Sequence, residues 1–323
     1  MLRRPRSHPG RWALVAGVAL LVVVACVPEA PGGGATTVGP CPMFPADNFW
    51  NADVRDVAAH PSSSAWRSTI GTGRGLKADF GSGHWDGGPI GIPFNTVGAG
   101  QPLVDVSFDY DDESDPGPYP IAPGSAREHG ADHHVLTVDT STCTLYELFA
   151  AEPQPDGSWH AGSGARFDLH SNALRPAGWT SADAAGLAIL PGLVRYEEVA
   201  AGRIDHAIRF TAPLTQRRYD WPATHFASSS TDPNRPPMGA WFRLRADYDT
   251  SWMSPQSRVI AEALKTHGMI LADNGSSWYL SGAPDERWDD QALRELGSIK
   301  GSDLTAIDAS SIMVHPWSGQ ART

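Results

Sequence analysis

Two cysteines, Cys41 and Cys143, constrain the fold more than any other feature, because the chain carrying them reads as exported. Arg3, Arg4, Arg6 and Arg11 accompany the apolar stretch WALVAGVALLVVVA, whose 14 residues run directly into Cys26. A membrane-spanning helix needs about 20 residues, so residues 1–25 read as a signal peptide. With Cys26 assigned to that signal, two cysteines remain in an oxidising compartment, and they are expected to form one disulfide. It would tie the start of the folded region to a turn about 100 residues later and stabilise it by about 3 to 5 kcal/mol. The competing role of Cys143 as a nucleophile has little in its favour, since nothing at that turn would hold a thiolate.

The ending V-V-A-C has the form of a bacterial lipobox, with valine where leucine is usual. Cys26 is therefore the expected lipidation site, with ordinary cleavage near Ala30 as the alternative. Residues 26–40 read as a flexible tether, Cys26 being followed by the Gly/Pro-rich VPEAPGGGATTVGP (27–40). Residues 41–323 suit a single β-rich domain. Loss of the four leader arginines takes the formal charge from −11 to −15, which argues against nucleic acid as a partner. The expected location is the extracellular face of the membrane, held by the lipid anchor alone, or free secretion.

Strand patterns dominate the rest: PIGIPFNTV (89–97), LVDVSFDY (103–110), HHVLTVD (133–139), CTLYELF (143–149), RIDHAIRFTA (203–212), AWFRLRADY (240–248), MILAD (269–273) and SWYLSG (277–282). Asn274-Gly275 between the last two is a hairpin signal. Ser254-Pro255, an apolar face of Val259, Ile260, Ala263 and Leu264, and then Gly268 outline one amphipathic helix. Shorter helices are expected at 62–69, 195–201 and 289–296. Many short strands with a few surface helices point to an antiparallel β-sandwich of jelly-roll type.

Catalytic candidates come first from the hairpin ADHHVLTVDTSTCTLYELF (131–149). Pairing Val135 with Glu147 puts Leu136, Val138, Tyr146 and Leu148 towards the core and leaves His133 and Glu147 on an open face; a slip of one residue reverses this. A strand glutamate in a cleft is a rigidly placed acid or nucleophile; otherwise it is a solvated carboxylate. In GWTSADAAGLAILPG, Asp183 is a lone acid among small residues, either functional or a helix cap. His206 shares a strand face with Ile204 and Phe210, which suits a core histidine, and His225 follows a Trp-Pro pair in a loop; both are candidate assistants.

Eleven of the twelve tryptophans lie beyond the signal, and aromatic rings suit sugar faces as well as cores. Trp85 with Asp86 in GSGHWDGGP, Trp179, and Trp241 with Arg243 on one strand face are the candidate substrate-binding residues. The run DYDDESD offers Asp109, Asp111, Glu113 and Asp115 to calcium, or is a solvated acidic loop. No compact His/Cys/Asp cluster suggests another metal site, and the patterns of hydrolase-fold esterases, P-loop NTPases and Rossmann enzymes are missing.

The segments DHHVLTVDTSTCTLYELFAA, SNALRPAGWTSADAAGLAILPGLVRYEEVAAGRIDHAIRF, YDWPATH and ALKTHGMILADNGSSWYLSG resemble, over about residues 130–282, a family of secreted, mainly actinobacterial proteins with no assigned activity. The resemblance implies export and a shared β-rich domain, and it transfers no catalytic residue. The residues themselves favour a glycan-active enzyme, a glycoside hydrolase or polysaccharide lyase acting on an extracellular polysaccharide. The alternative is a noncatalytic glycan-binding lipoprotein.

Overall fold

The structure is a computed structural model that describes residues 37–322. The stretch read as a signal peptide, Cys26 and the stretch read as a tether up to residue 36 lie outside the described residues. Thr37–Val38, at the end of the stretch read as tether, already pairs with Cys41–Pro42. No described helix is long and apolar enough to cross a membrane.

The chain is mainly sheet with few helices, distributed over several sheets. Ten strands carry the two larger ones: β1 (Lys77–Ala78), β2 (Phe94–Val97), β3 (Val135–Asp139), β4 (Thr144–Phe149), β5 (Ser163–Asp168), β6 (Ile208–Ala212), β7 (Trp241–Leu244), β8 (Met269–Asn274), β9 (Tyr279–Leu280) and β10 (Leu304–Ala306). The six-stranded sheet has the order β10-β7-β8-β6-β9-β1, and the four-stranded sheet β5-β4-β3-β2. The expectation of an antiparallel jelly roll needs correction, because β6 and β8, β9 and β1, and β2 and β3 pair in parallel. Parallel neighbours require long connections, and the Pro/Gly-rich segments supply them.

Asn274-Gly275 shows how the pattern misled. Strands β8 and β9 flank it but do not pair with each other, since β6 lies between them. The Asn274 side chain instead bonds Thr215 and Ala227, and Gly275 donates to Ala212 at the end of β6. The connection steps over β6 rather than folding back.

The helix expected from Ser254-Pro255 spans Pro255–Thr266, and shorter helices occupy Ser63–Ile70, Tyr196–Ala200 and Asp290–Leu293. Gly268 follows the long helix at φ +70°, where a Cβ would lie 2.3 Å from the Phe242 carbonyl oxygen; a glycine is needed there. Ile260, Ala263 and Leu264 are buried.

The β3–β4 hairpin is one residue off the expected register, with Leu136 opposite Glu147 and Val138 opposite Leu145. Thr140–Cys143 make a four-residue turn, and Cys143 takes φ +51° to close it. Leu136, Val138 and Leu145 therefore join the main core, while Val135 and Leu148 join a second apolar cluster with Tyr119, Ile121, Ala151 and Ala161. Both faces are covered, so the expected open face does not exist. The Cys41–Cys143 disulfide forms as expected across 102 residues.

Candidate functional site

Side chains alternate along strands, and this sets the floor of a polar cleft. On β6, Ile208, Phe210 and Ala212 are buried in the core, where Phe210 stacks on Trp278. Arg209 and Thr211 therefore face the other way. Thr211 lies opposite Asp273 on β8 and Tyr279 on β9, and Tyr279 lies opposite Lys77 on β1. Ser281 and Asp79 occupy the next row, beside Arg209. The opposite face of this sheet is apolar, whereas these seven side chains make a polar floor.

Segment 128–134 and the hairpin His84–Trp85/Gly88–Pro89 wall the cleft, which encloses about 450 Å³. Asp86 and Gly87 turn the hairpin with positive φ at both positions, the requirement of a type I′ turn. A Cβ on Gly88 would fall 2.0 Å from the His129 ring. This glycine lets the hairpin close onto the wall and leaves Trp85, 67% exposed, on the rim.

Buried charges fix the floor. Arg209 donates from Nε and Nη2 to the two oxygens of Asp183, both at 2.9 Å, from Nη2 to Asp273 at 3.1 Å and from Nη1 to Ser281 at 2.7 Å. Burial opposes its charge, and the flanking acids outweigh burial. Burial pushes Asp273 up to about 6, with Arg209 restraining the rise and Asp183 adding to it. Partial burial also raises Asp79, at the open end of the floor, against the pull of Lys77.

On the wall, His134 Nδ1 bonds Glu128 and Nε2 lies 3.1 Å from the Ala182 carbonyl oxygen. Both ring nitrogens thus face acceptors, which suits the imidazolium. Burial acts against that charge, but the Glu128 carboxylate overrides it and raises His134 to about 9. Glu128 is correspondingly lowered, its own burial being outweighed by His134. The pair is an ionised dyad at neutral pH.

The residues read from the sequence fall unevenly around this cleft. Trp85 lines it. Asp183 lies behind the floor, fully buried, and acts by positioning Arg209. Glu147 is also fully buried and accepts from the backbone N–H groups of Ile189 and Leu190; the slipped register directs it into the core. His133 sits just before β3 at φ +46°, bonded to Glu152. It lines an adjoining cavity of about 360 Å³ together with Asp86, so the expected union of His133 with Glu147 does not occur.

The other candidates lie away from this cleft. His206 is buried between the Ala207 carbonyl and Glu198. His225 Nδ1 lies 2.8 Å from the Ala184 carbonyl oxygen and supports the loop that carries Asp183. Trp179 is half-buried against Arg175. Trp241 is 1% exposed and donates to the His267 carbonyl, and Arg243 pins the carbonyls of Val54 and Val57. On the face expected for substrate, Trp241 is thus buried and Arg243 is half-buried against the 50s segment. Of the acidic run, Asp109 bonds His160, Glu113 the Thr180 N–H and Asp115 the Arg175 guanidinium. Asp111 opens the short 3-10 turn Asp111–Glu113, and no group able to hold a metal ion occurs among the described residues.

Sequence reasoning missed Asp79, Glu128, His134, Arg209 and Asp273. One signal was present: Arg209 stands in the apolar alternation of IRF, and Asp183 in a loop that reads buried. Two opposite charges in buried contexts require partners, and they are each other's. No protein-family model, no curated protein and no solved structure matches the chain. The geometry of the cleft therefore carries the functional argument alone.

Proposed function

We propose that this protein is an exported enzyme acting on an extracellular glycan, with Asp273 as general acid and Glu128 as the anionic partner across the cleft. The observation that carries the reading is the joint placement of Asp273, raised to about 6, and the ionised Glu128–His134 pair around one cleft. Such divergent protonation of two carboxyl groups lining one cleft is what acid/base chemistry on a glycosidic bond needs. Trp85 on the rim supplies an apolar face for a sugar ring. Arg209 holds Asp273 in place and is a positioning residue. Export and surface attachment rest on the reading of residues 1–26.

The test is a panel of neutral, aminated and uronate polysaccharides, assayed for new reducing ends and for unsaturated products. Wild type is expected to release one of these from at least one polymer, and Asp273→Asn to cut the release by about 10²- to 10⁴-fold. Full activity in both Asp273→Asn and Glu128→Gln would refute the site. Binding of a glycan without turnover would favour the noncatalytic alternative, for which Trp85 is the supporting observation.

A further inference from the structure

The charges of the cleft are unequally committed. Among the groups lining it, Lys77, Arg209 and His134 are cationic, whereas Asp79, Glu128, Asp132 and Asp273 are acidic. The two buried cations are spent on the protein. Arg209 is held by Asp183 and Asp273, and His134 by Glu128. Lys77 lies over the Tyr279 ring, 4.4 Å from its centroid. Asp183, directly behind the floor, adds a further negative charge.

Of the acids, Glu128 and Asp273 are committed in those same pairs, whereas Asp79 and Asp132 keep capacity for a ligand. Neither the Asp79 nor the Asp132 carboxylate takes part in a hydrogen bond or ion pair among the described residues. Arg209, only 4% exposed, uses four of its five N–H groups, leaving one Nη1 proton without an acceptor among the described residues. That donor can bond a sugar hydroxyl. A carboxylate entering the cleft would meet two uncommitted acids and, among the described residues lining it, Lys77 as the cation outside an ion pair, itself donating to the Tyr279 hydroxyl; like charges brought together in a partly desolvated site repel strongly. An ammonium group would meet the reverse.

We infer that the cleft takes an amino sugar, a glycan unit bearing a free ammonium group bound by Asp79 and Asp132, and that it rejects uronates. This rests on the proposed glycan activity and narrows it: β-elimination needs a uronate whose carboxylate is neutralised, so the chemistry is hydrolysis. Water adds across the glycosidic bond, Asp273 giving its proton to the leaving oxygen and recovering one from the water.

The test compares three hexamers with the mature protein: fully deacetylated glucosamine, N-acetylglucosamine and galacturonate. Turnover and calorimetric binding are both measured. The expected result is a kcat/KM for the glucosamine hexamer at least tenfold above that for the N-acetylated one, with no turnover of oligogalacturonate. In the Asp79→Asn/Asp132→Asn double variant this ratio should fall towards one. Equal handling of the aminated and acetylated hexamers, preference for galacturonate, or an unchanged ratio in the double variant each overturns the inference while leaving glycan activity standing. Failure to bind or cleave any of the three, and any polymer of the wider panel, overturns both.

Discussion

Arg209 and Asp183, 26 residues apart in sequence, meet as a bidentate ion pair with both contacts at 2.9 Å, buried beneath the cleft floor. Removing one partner strands the other charge in the core, at a cost of about 3–5 kcal/mol. Asp183→Asn should therefore lower the urea midpoint by that equivalent and also reduce turnover, since Arg209 loses its anchor. The double variant Asp183→Leu/Arg209→Met should recover much of the stability and none of the activity. An unaltered midpoint in Asp183→Asn would show that the pair is not what fixes the floor.

Asp273 must be protonated to act as an acid, and its pKa is raised to about 6. The kcat/KM profile should accordingly fall on its basic side with an apparent pKa near 6. Arg209 pulls that pKa down, so Arg209→Gln should move the basic limb to higher pH in whatever activity survives. Asp273→Asn should lose about 10²- to 10⁴-fold. A profile flat from pH 5 to 8 would exclude Asp273 from the proton transfer.

The long helix was legible because each of its signals is local: Ser254-Pro255 at one end, Gly268 at the other, and a 3.6-residue apolar face between them. The disulfide was legible because only two cysteines were left to pair. The hairpin register was not. A one-residue slip exchanges the faces of β3 and β4, and both faces turn out to be buried, one in the main core and one against the 103–121 segment. Hydrophobic alternation cannot choose between two covered faces. The cleft was hidden for a related reason, since its floor joins β1 and β6 to the β8–β9 region from distant parts of the sequence, and β6 inserts between the two strands that the Asn274-Gly275 signal would have paired.

Glu147 makes stability depend on pH. Burial, opposed by the N–H groups of Ile189 and Leu190, raises it from an ordinary 4.5 to about 7. The folded state then holds this proton over a range where the unfolded state has lost it, so the contribution is complete below about 4.5 and declines as pH rises through about 7. The decline amounts to about 3 kcal/mol. Glu147→Gln, which cannot ionise, should flatten the urea stability profile between pH 4.5 and 7.5. An equally steep decline in the variant would assign it to other groups.

The disulfide joins the first paired strands to the β3–β4 turn across 102 residues. A loop of that length corresponds to about 4–5 kcal/mol in the chain-entropy account. Cys41→Ser/Cys143→Ser should lower the melting temperature by an amount that reductant reproduces in wild type and does not add to in the variant. Additional loss on reducing the variant would point to a different target of the reductant.

Trp85 and Gly88 separate the ring from its placement. Trp85 is 67% exposed, so Trp85→Ala should leave the melting temperature unchanged. Loss of its contact with a sugar, worth about 1 kcal/mol, should raise KM roughly fivefold. Gly88→Ala keeps the tryptophan but drives a Cβ to 2.0 Å from the His129 ring, which forces the hairpin and wall apart. If the rim works by holding the ring over the floor, Gly88→Ala should raise KM at least as much as Trp85→Ala, and the double variant should add little. Additive losses would mean that the hairpin and the ring act on the substrate separately.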